Sequence, residues 1–133
     1  MNMNNVFLNE LVGKKVCEIK GDIKDQDFLI KTECGYTFKF YHNQNCCEDV
    51  YLENIIGDIN DILGHEIILA QEEINNDEIQ DVNVFNQDSF TWTYYRLASE
   101  KGLVVLRFYG TSNGYYSEGI TISMNPKKIF EDY

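Results

Sequence analysis

The sequence predicts an α+β fold dominated by antiparallel β-sheet. About six to seven strands in meanders and hairpins are expected, with a short N-terminal helix and one short central helix. Three observations carry this. Residues 89–124, SFTWTYYRLASEKGLVVLRFYGTSNGYYSEGITISM, hold three runs rich in β-branched and aromatic residues, separated by polar breaks that contain Gly. Earlier residues show shorter strand-like runs bounded by Gly21-Asp22 and Cys34-Gly35. The clearest helical spacing lies in residues 5–12 and in a turn or two near residue 60. With 133 residues the chain can bury one core without staples. A single domain over residues 1–133 is expected, with an acidic loop near 74–88 and a loose tail near 125–133.

Taken in order, Asn5–Val12 places Val6, Phe7, Leu11 and Val12 at helical spacing, with Asn4 or Asn5 as cap and Gly13 as stop. Lys14–Lys20 alternates as a strand, with Val16 and Glu18 on one face and Cys17 and Ile19 on the other. Asp27–Glu33 and Tyr36–His42 complete a meander. Val50–Ile56 is a short apolar run that suits strand or helix and is read as a strand, Asp58–Leu63 reads as a helical turn ended by Gly64, and His65–Glu73 as a further strand. Ile74–Asp88 is polar and acidic and reads as an exposed connection.

The strands of residues 89–124 are the most explicit. Phe90–Ala98 turns at Ser99-Glu100-Lys101-Gly102 into Leu103–Tyr109, whose apolar run suggests a central strand covered on both faces. Asn113-Gly114 is a strong hairpin signal, and a third strand, Tyr115–Ser123, is expected to turn back beside the second and stop before Pro126. A two- or four-residue first loop sets Trp92 opposite Tyr109, Tyr94 opposite Arg107 and Arg96 opposite Val105, all on one face. Tyr95, Leu97, Val104, Leu106 and Phe108 take the other, core face. A four-residue second loop would set Glu118 across from Arg107.

Arg107 invites two readings. A guanidinium within LVVLRFYG must be paired or reach water, since an unpaired buried charge is costly. It is either a structural partner of Glu118 or an anion-binding group framed by Trp92, Tyr94 and Tyr109, with Arg96 beside it. Asn113 and Tyr115 at the following turn would join the second arrangement. Rings that stack with a guanidinium that forks onto phosphate or carboxylate suit a nucleotide-like ligand.

The net charge is −11. Between Phe40 and Tyr95 there is no Lys or Arg, and twelve of the 22 acidic residues fall there. That sign argues against direct duplex nucleic-acid binding and suits a basic partner or plain solubility. No apolar run reaches membrane-spanning length and the start lacks the regions of a signal peptide, so a cytoplasmic location is expected. The spacing of Cys17, Cys34, Cys46 and Cys47 does not suggest a disulfide framework, and four thiols are expected, with Cys17 and Cys34 as small hydrophobes in strands. His42, Cys46, Cys47 and Glu48 gather ligand or nucleophile types, yet vicinal cysteines chelate poorly and no positioned third group is visible. The 58–64 stretch lacks the ligand spacing of a calcium loop. No phosphate-cradling loop, dinucleotide fingerprint or serine elbow is present. No cofactor or metal is expected.

Two stretches, YHNQNCCEDVYLENIIGDINDILG and SFTWTYYRLASEKGLVVLRFYGTSNGYYSE, resemble an uncharacterised family of small proteins found in phages and in low-GC Gram-positive bacteria. The resemblance implies a phage or prophage setting, where small acidic proteins counter host defence, and carries no site residues. The leading expectation is a non-enzymatic binding protein, an anti-defence factor in the host cytoplasm that sequesters a small anionic ligand such as a nucleotide signal. The candidate contacts are Arg107, Arg96, Trp92, Tyr94, Tyr109, Asn113 and Tyr115. The alternatives are an acidic inhibitor of a basic host protein and a thiol- or metal-dependent enzyme using His42, Cys46 and Cys47. Aromatic strand surfaces and an exposed edge allow a homodimer or higher homo-oligomer.

Overall fold

Side-chain alternation along the strands produces two antiparallel sheets that bury their inner faces in one shared core. The structure is a computed structural model and describes residues 3–75, 89–114 and 116–126. In the first sheet, β1 (Val16–Lys20), β2 (Phe28–Thr32), β3 (Tyr36–Tyr41) and β8 (Thr121–Pro126) lie in the order β1-β2-β3-β8. In the second, β4 (Asp49–Ile56), β5 (Leu69–Asn75), β6 (Ser89–Ser99) and β7 (Gly102–Ser112) lie in the order β4-β7-β6-β5. Every strand pairing is antiparallel. Phe28, Ile30, Phe38 and Phe40 face Leu52, Tyr95, Leu97, Leu106 and Phe108 across the core. The Phe40 and Tyr95 rings meet edge to face at 5.0 Å and join the two sheets.

Both open sides of this sandwich are closed. On one, α1 (Met3–Leu11) buries Leu8 and Leu11 and packs on β8 and β5, an edge strand from each sheet. Asn4 locks it there. Its side chain donates to Ile120 O (2.7 Å) and to Glu72 Oε2 (3.0 Å), and accepts from Ile122 N (3.0 Å). On the other side, the turn after β1 pairs with edge strand β4: Lys24 N donates to Leu52 O (2.6 Å) and Leu52 N to Asp25 O (2.8 Å). Both contacts cover backbone that would otherwise offer an open ladder.

The antiparallel, sheet-dominated fold with one helix follows the expectation, with eight strands among the described residues. The central helix is a 3-10 turn, Ile59–Asp61, capped by Asp58, and Gly64 follows at φ +83.

Several local expectations are corrected. α1 begins at Met3, so Asn4 lies within the helix rather than capping it, and Leu8 takes an inner place while Val6 and Val12 are exposed. A bulge between Val16 and Glu18 breaks the period of β1: Val16 is buried and Ile19 packs on the core, while Cys17 faces out. Cys17 lies in β1 and both it and Cys34 are free thiols as expected, but both are exposed rather than small hydrophobes, Cys34 sits in the turn after β2, and Cys46 and Cys47 are joined as a vicinal disulfide rather than held as thiols. β5 starts at Leu69 and runs to Asn75, beyond the predicted end. β7 is central but buried on its inner face only.

The largest correction concerns β8. It does not return beside β7 but crosses to the other sheet and pairs with β3, with Phe38 opposite Met124 and Tyr36 opposite Pro126. Asn113-Gly114 is a bend at which the chain leaves the second sheet. Pro126 is accommodated because β8 is an edge strand. From residue 76 the predicted acidic loop lies outside the described residues, as do residues 127–133 of the tail.

Candidate functional site

The β6–β7 hairpin has the expected register without a bulge: Trp92 pairs with Tyr109, Tyr94 with Arg107 and Arg96 with Val105. Period-two alternation then divides it. Tyr95, Leu97, Val104, Leu106 and Phe108 are buried as predicted, and the other set forms the outer face of the second sheet. Register with the flanking strands completes that face in rows. Tyr51, Tyr109, Trp92 and Asn75 lie across one row, and Asn54, Arg107, Tyr94 and Glu73 across the next. Successive rows are about 7 Å apart, two residues of strand.

The first row is an aromatic ledge. Trp92 and Tyr109 have centroids 4.4 Å apart and are mutually tilted, and Tyr51 meets Tyr109 edge-on at 6.3 Å. Burial, then the neighbouring Tyr51 and Glu118, push the Tyr109 hydroxyl above its usual value. The second row carries Arg107, whose guanidinium lies 5.2 Å from the Trp92 ring centroid. Arg107 and Arg96, the two arginines of the chain, are diagonal neighbours on this face.

Arg107 is not paired with Glu118. It is held by Glu53 of β4: Nε and Nη2 both lie against Glu53 Oε1, at 2.7 and 2.6 Å. Arg96 is likewise held by Glu73 of β5, Nη1 to Oε1 at 2.7 Å. Glu118 is instead buried, accepting from Thr91 Oγ1 (2.7 Å) and from Ser112 Oγ.

The structure therefore brings five of the seven predicted residues, Arg107, Arg96, Trp92, Tyr94 and Tyr109, onto one face. Asn113 lies beyond β7, where it lines a cavity of about 280 Å³ with Cys47, Glu48, Thr111, Ser112 and Tyr116. Thr111 is two residues on from Tyr109 and shares its face, so this cavity borders the aromatic end. Tyr115 lies outside the described residues. Glu53, Glu73 and Tyr51 were missed. Alternation within Val50–Ile56 signalled that Tyr51 and Glu53 share a face, but nothing local paired that strand with β7.

A second cluster closes the far wall of the cavity. Glu48 is 4% exposed and accepts from His42 Nε2 (2.8 Å), Asn45 N (2.9 Å) and Cys46 N (2.8 Å). Desolvation opposes the charge, but the His42 bond and the loop amides outweigh it and hold the carboxyl at about 2. The other ring nitrogen, Nδ1, is 2.6 Å from Gly119 O and must donate to it. Both ring nitrogens therefore face oxygen acceptors. His42 thus ties the β3–β4 loop to the segment before β8 and is committed to structure rather than aimed at a thiol.

The chain belongs to a family described as Domain of unknown function (DUF7448), whose model matches residues 9–122. No curated protein and no solved structure matches it. The matched span includes both sheets as far as β8 and every residue of the outer face described above. Within the described residues no helix is long and apolar enough to cross a membrane.

Proposed function

We propose that the protein is a non-enzymatic binding protein that holds a small, ring-bearing anion such as a nucleotide on the outer face of its second sheet. One observation carries the reading: the guanidinium of Arg107 lies over Trp92, with Tyr109 tilted against that indole and Arg96 on the diagonal. A planar ring can lie on the ledge while its anionic group reaches a fork of Arg107 in the next row, about 7 Å away. Asn113 and the cavity at the end of the ledge would take a ligand's further polar groups. In a phage or prophage setting, which the resemblance implies, such a protein in the host cytoplasm would act by sequestering a nucleotide signal of host defence, as a monomer or homo-oligomer.

Calorimetric titration with a panel of nucleoside mono- and cyclic phosphates tests this. Saturable binding is expected, lost in Arg107→Ala. That variant should keep its stability to within about 1 kcal/mol, because the Arg107–Glu53 pair is partly exposed and such pairs contribute little. Trp92→Ala should weaken binding by about 1–3 kcal/mol, the range for one base stacked on one ring. Binding that survives Arg107→Ala contradicts the reading.

A further inference from the structure

We infer that Glu53 is a specificity-determining residue of this face: it bars bare anions from Arg107 and leaves the site to anions carried on a stackable ring. The inference rests on the proposed ring-and-anion function and names what enforces its selectivity.

A guanidinium presents two edges that can each take an anion through paired N–H groups, one formed by Nε and Nη2, the other by Nη1 and Nη2. Glu53 holds the first edge, through a single oxygen at 2.7 and 2.6 Å. Among the described residues Glu53 is the ion-pair partner of Arg107, and the Nη1–Nη2 edge is assigned to the ligand. The backbone is built for this arrangement. The β4–β7 register shifts between Leu52 and Asn54, so that Leu52 pairs with Phe108 and Asn54 with Arg107, and Glu53 is the extra residue of a bulge. Bulges of this kind re-aim a side chain, and here two polar residues stand opposite one arginine.

The consequence is electrostatic. Each arginine of the face is matched by a carboxylate, Arg107 by Glu53 and Arg96 by Glu73, on a molecule of net charge −11. A bare phosphate arriving at the open edge meets a neutralised cation and a repelling carboxylate one guanidinium away. It gains hydrogen bonds whose net attraction is too weak to hold it alone. An anion attached to a planar ring also gains stacking on Trp92 and Tyr109, and that term decides admission. Glu53→Gln removes the charge but keeps an oxygen to accept from Nε and Nη2, so Arg107 remains in position.

The test titrates wild type, Glu53→Gln and Arg107→Ala with three probes: inorganic phosphate, adenosine and adenosine 5′-monophosphate. Wild type should bind the nucleotide and not phosphate. Glu53→Gln should bind the nucleotide roughly tenfold more tightly and acquire measurable phosphate binding, with adenosine affinity unchanged. Arg107→Ala should lose the nucleotide. If Glu53→Gln binds the nucleotide equally or more weakly and still ignores phosphate, Glu53 merely props Arg107 and the inference fails while the site stands. If wild type binds phosphate as tightly as the nucleotide, there is no filter. If no probe binds wild type or Glu53→Gln, the ring-and-anion reading fails and takes the inference with it.

Discussion

Glu48 is the side chain around which the β3–β4 loop folds, and its environment makes a pH prediction. Its carboxyl sits at about 2 in the folded chain against 4.5 ordinarily, so the ionised form favours folding. That contribution is complete above pH 4.5 and is lost as pH falls from there towards 2. Glu48→Gln should lower the melting temperature at pH 7 and flatten the acid limb of a melting-temperature profile. An unchanged acid limb would show that another group controls it. Tyr95 works in the opposite sense. Burial first, then the charge and hydrogen bond of Glu72, raise its hydroxyl far above the usual value, so its contribution holds below pH 10 and declines above it as the unfolded chain ionises. Tyr95→Phe should cost about 1 kcal/mol in urea denaturation at neutral pH and remove part of the alkaline decline.

At the level of elements, the β6–β7 hairpin was legible because its information is local. The aromatic and β-branched runs, the Gly102 break and a period of two were enough to set Trp92 against Tyr109 and to separate Tyr95 from Tyr94. β8 was not legible, because an Asn-Gly pair serves a bend between sheets as readily as a hairpin. What directs the crossing is contributed from afar. Glu118 is anchored by Thr91 and Ser112, His42 donates to Gly119 O, and the crossing segment passes directly over Gly110. A Cβ at Gly110 would lie 2.9 Å from Glu118 O and 3.1 Å from Val50 Cγ2. Gly110→Ala should therefore destabilise the fold by about 1–3 kcal/mol, the range for overpacking, measurable by urea unfolding. The candidate site divides in the same way. The five residues of the hairpin face were readable from alternation, whereas Glu53 and Glu73 come from separate strands, one of them bulged, and only tertiary pairing brings them to Arg107 and Arg96.

For the whole molecule, the division of labour follows from the way the sandwich is closed. α1 and the turn after β1 cover opposite edges, the inner faces hold the core, and among the described residues the outer face of the second sheet presents its rings and ion pairs. Substitutions there should change binding more than folding, since the core side chains point the other way. The face also contains its own reporter: Trp92 is the single tryptophan of the chain, so intrinsic indole fluorescence reads this site and no other. The direct measurement is a titration of that fluorescence with nucleoside mono- and cyclic phosphates, in wild type and in Arg107→Ala. A saturable change is expected with at least one nucleotide in wild type and none in the folded variant. No saturable change in wild type across the panel, or an equal change in Arg107→Ala, would contradict the proposed function.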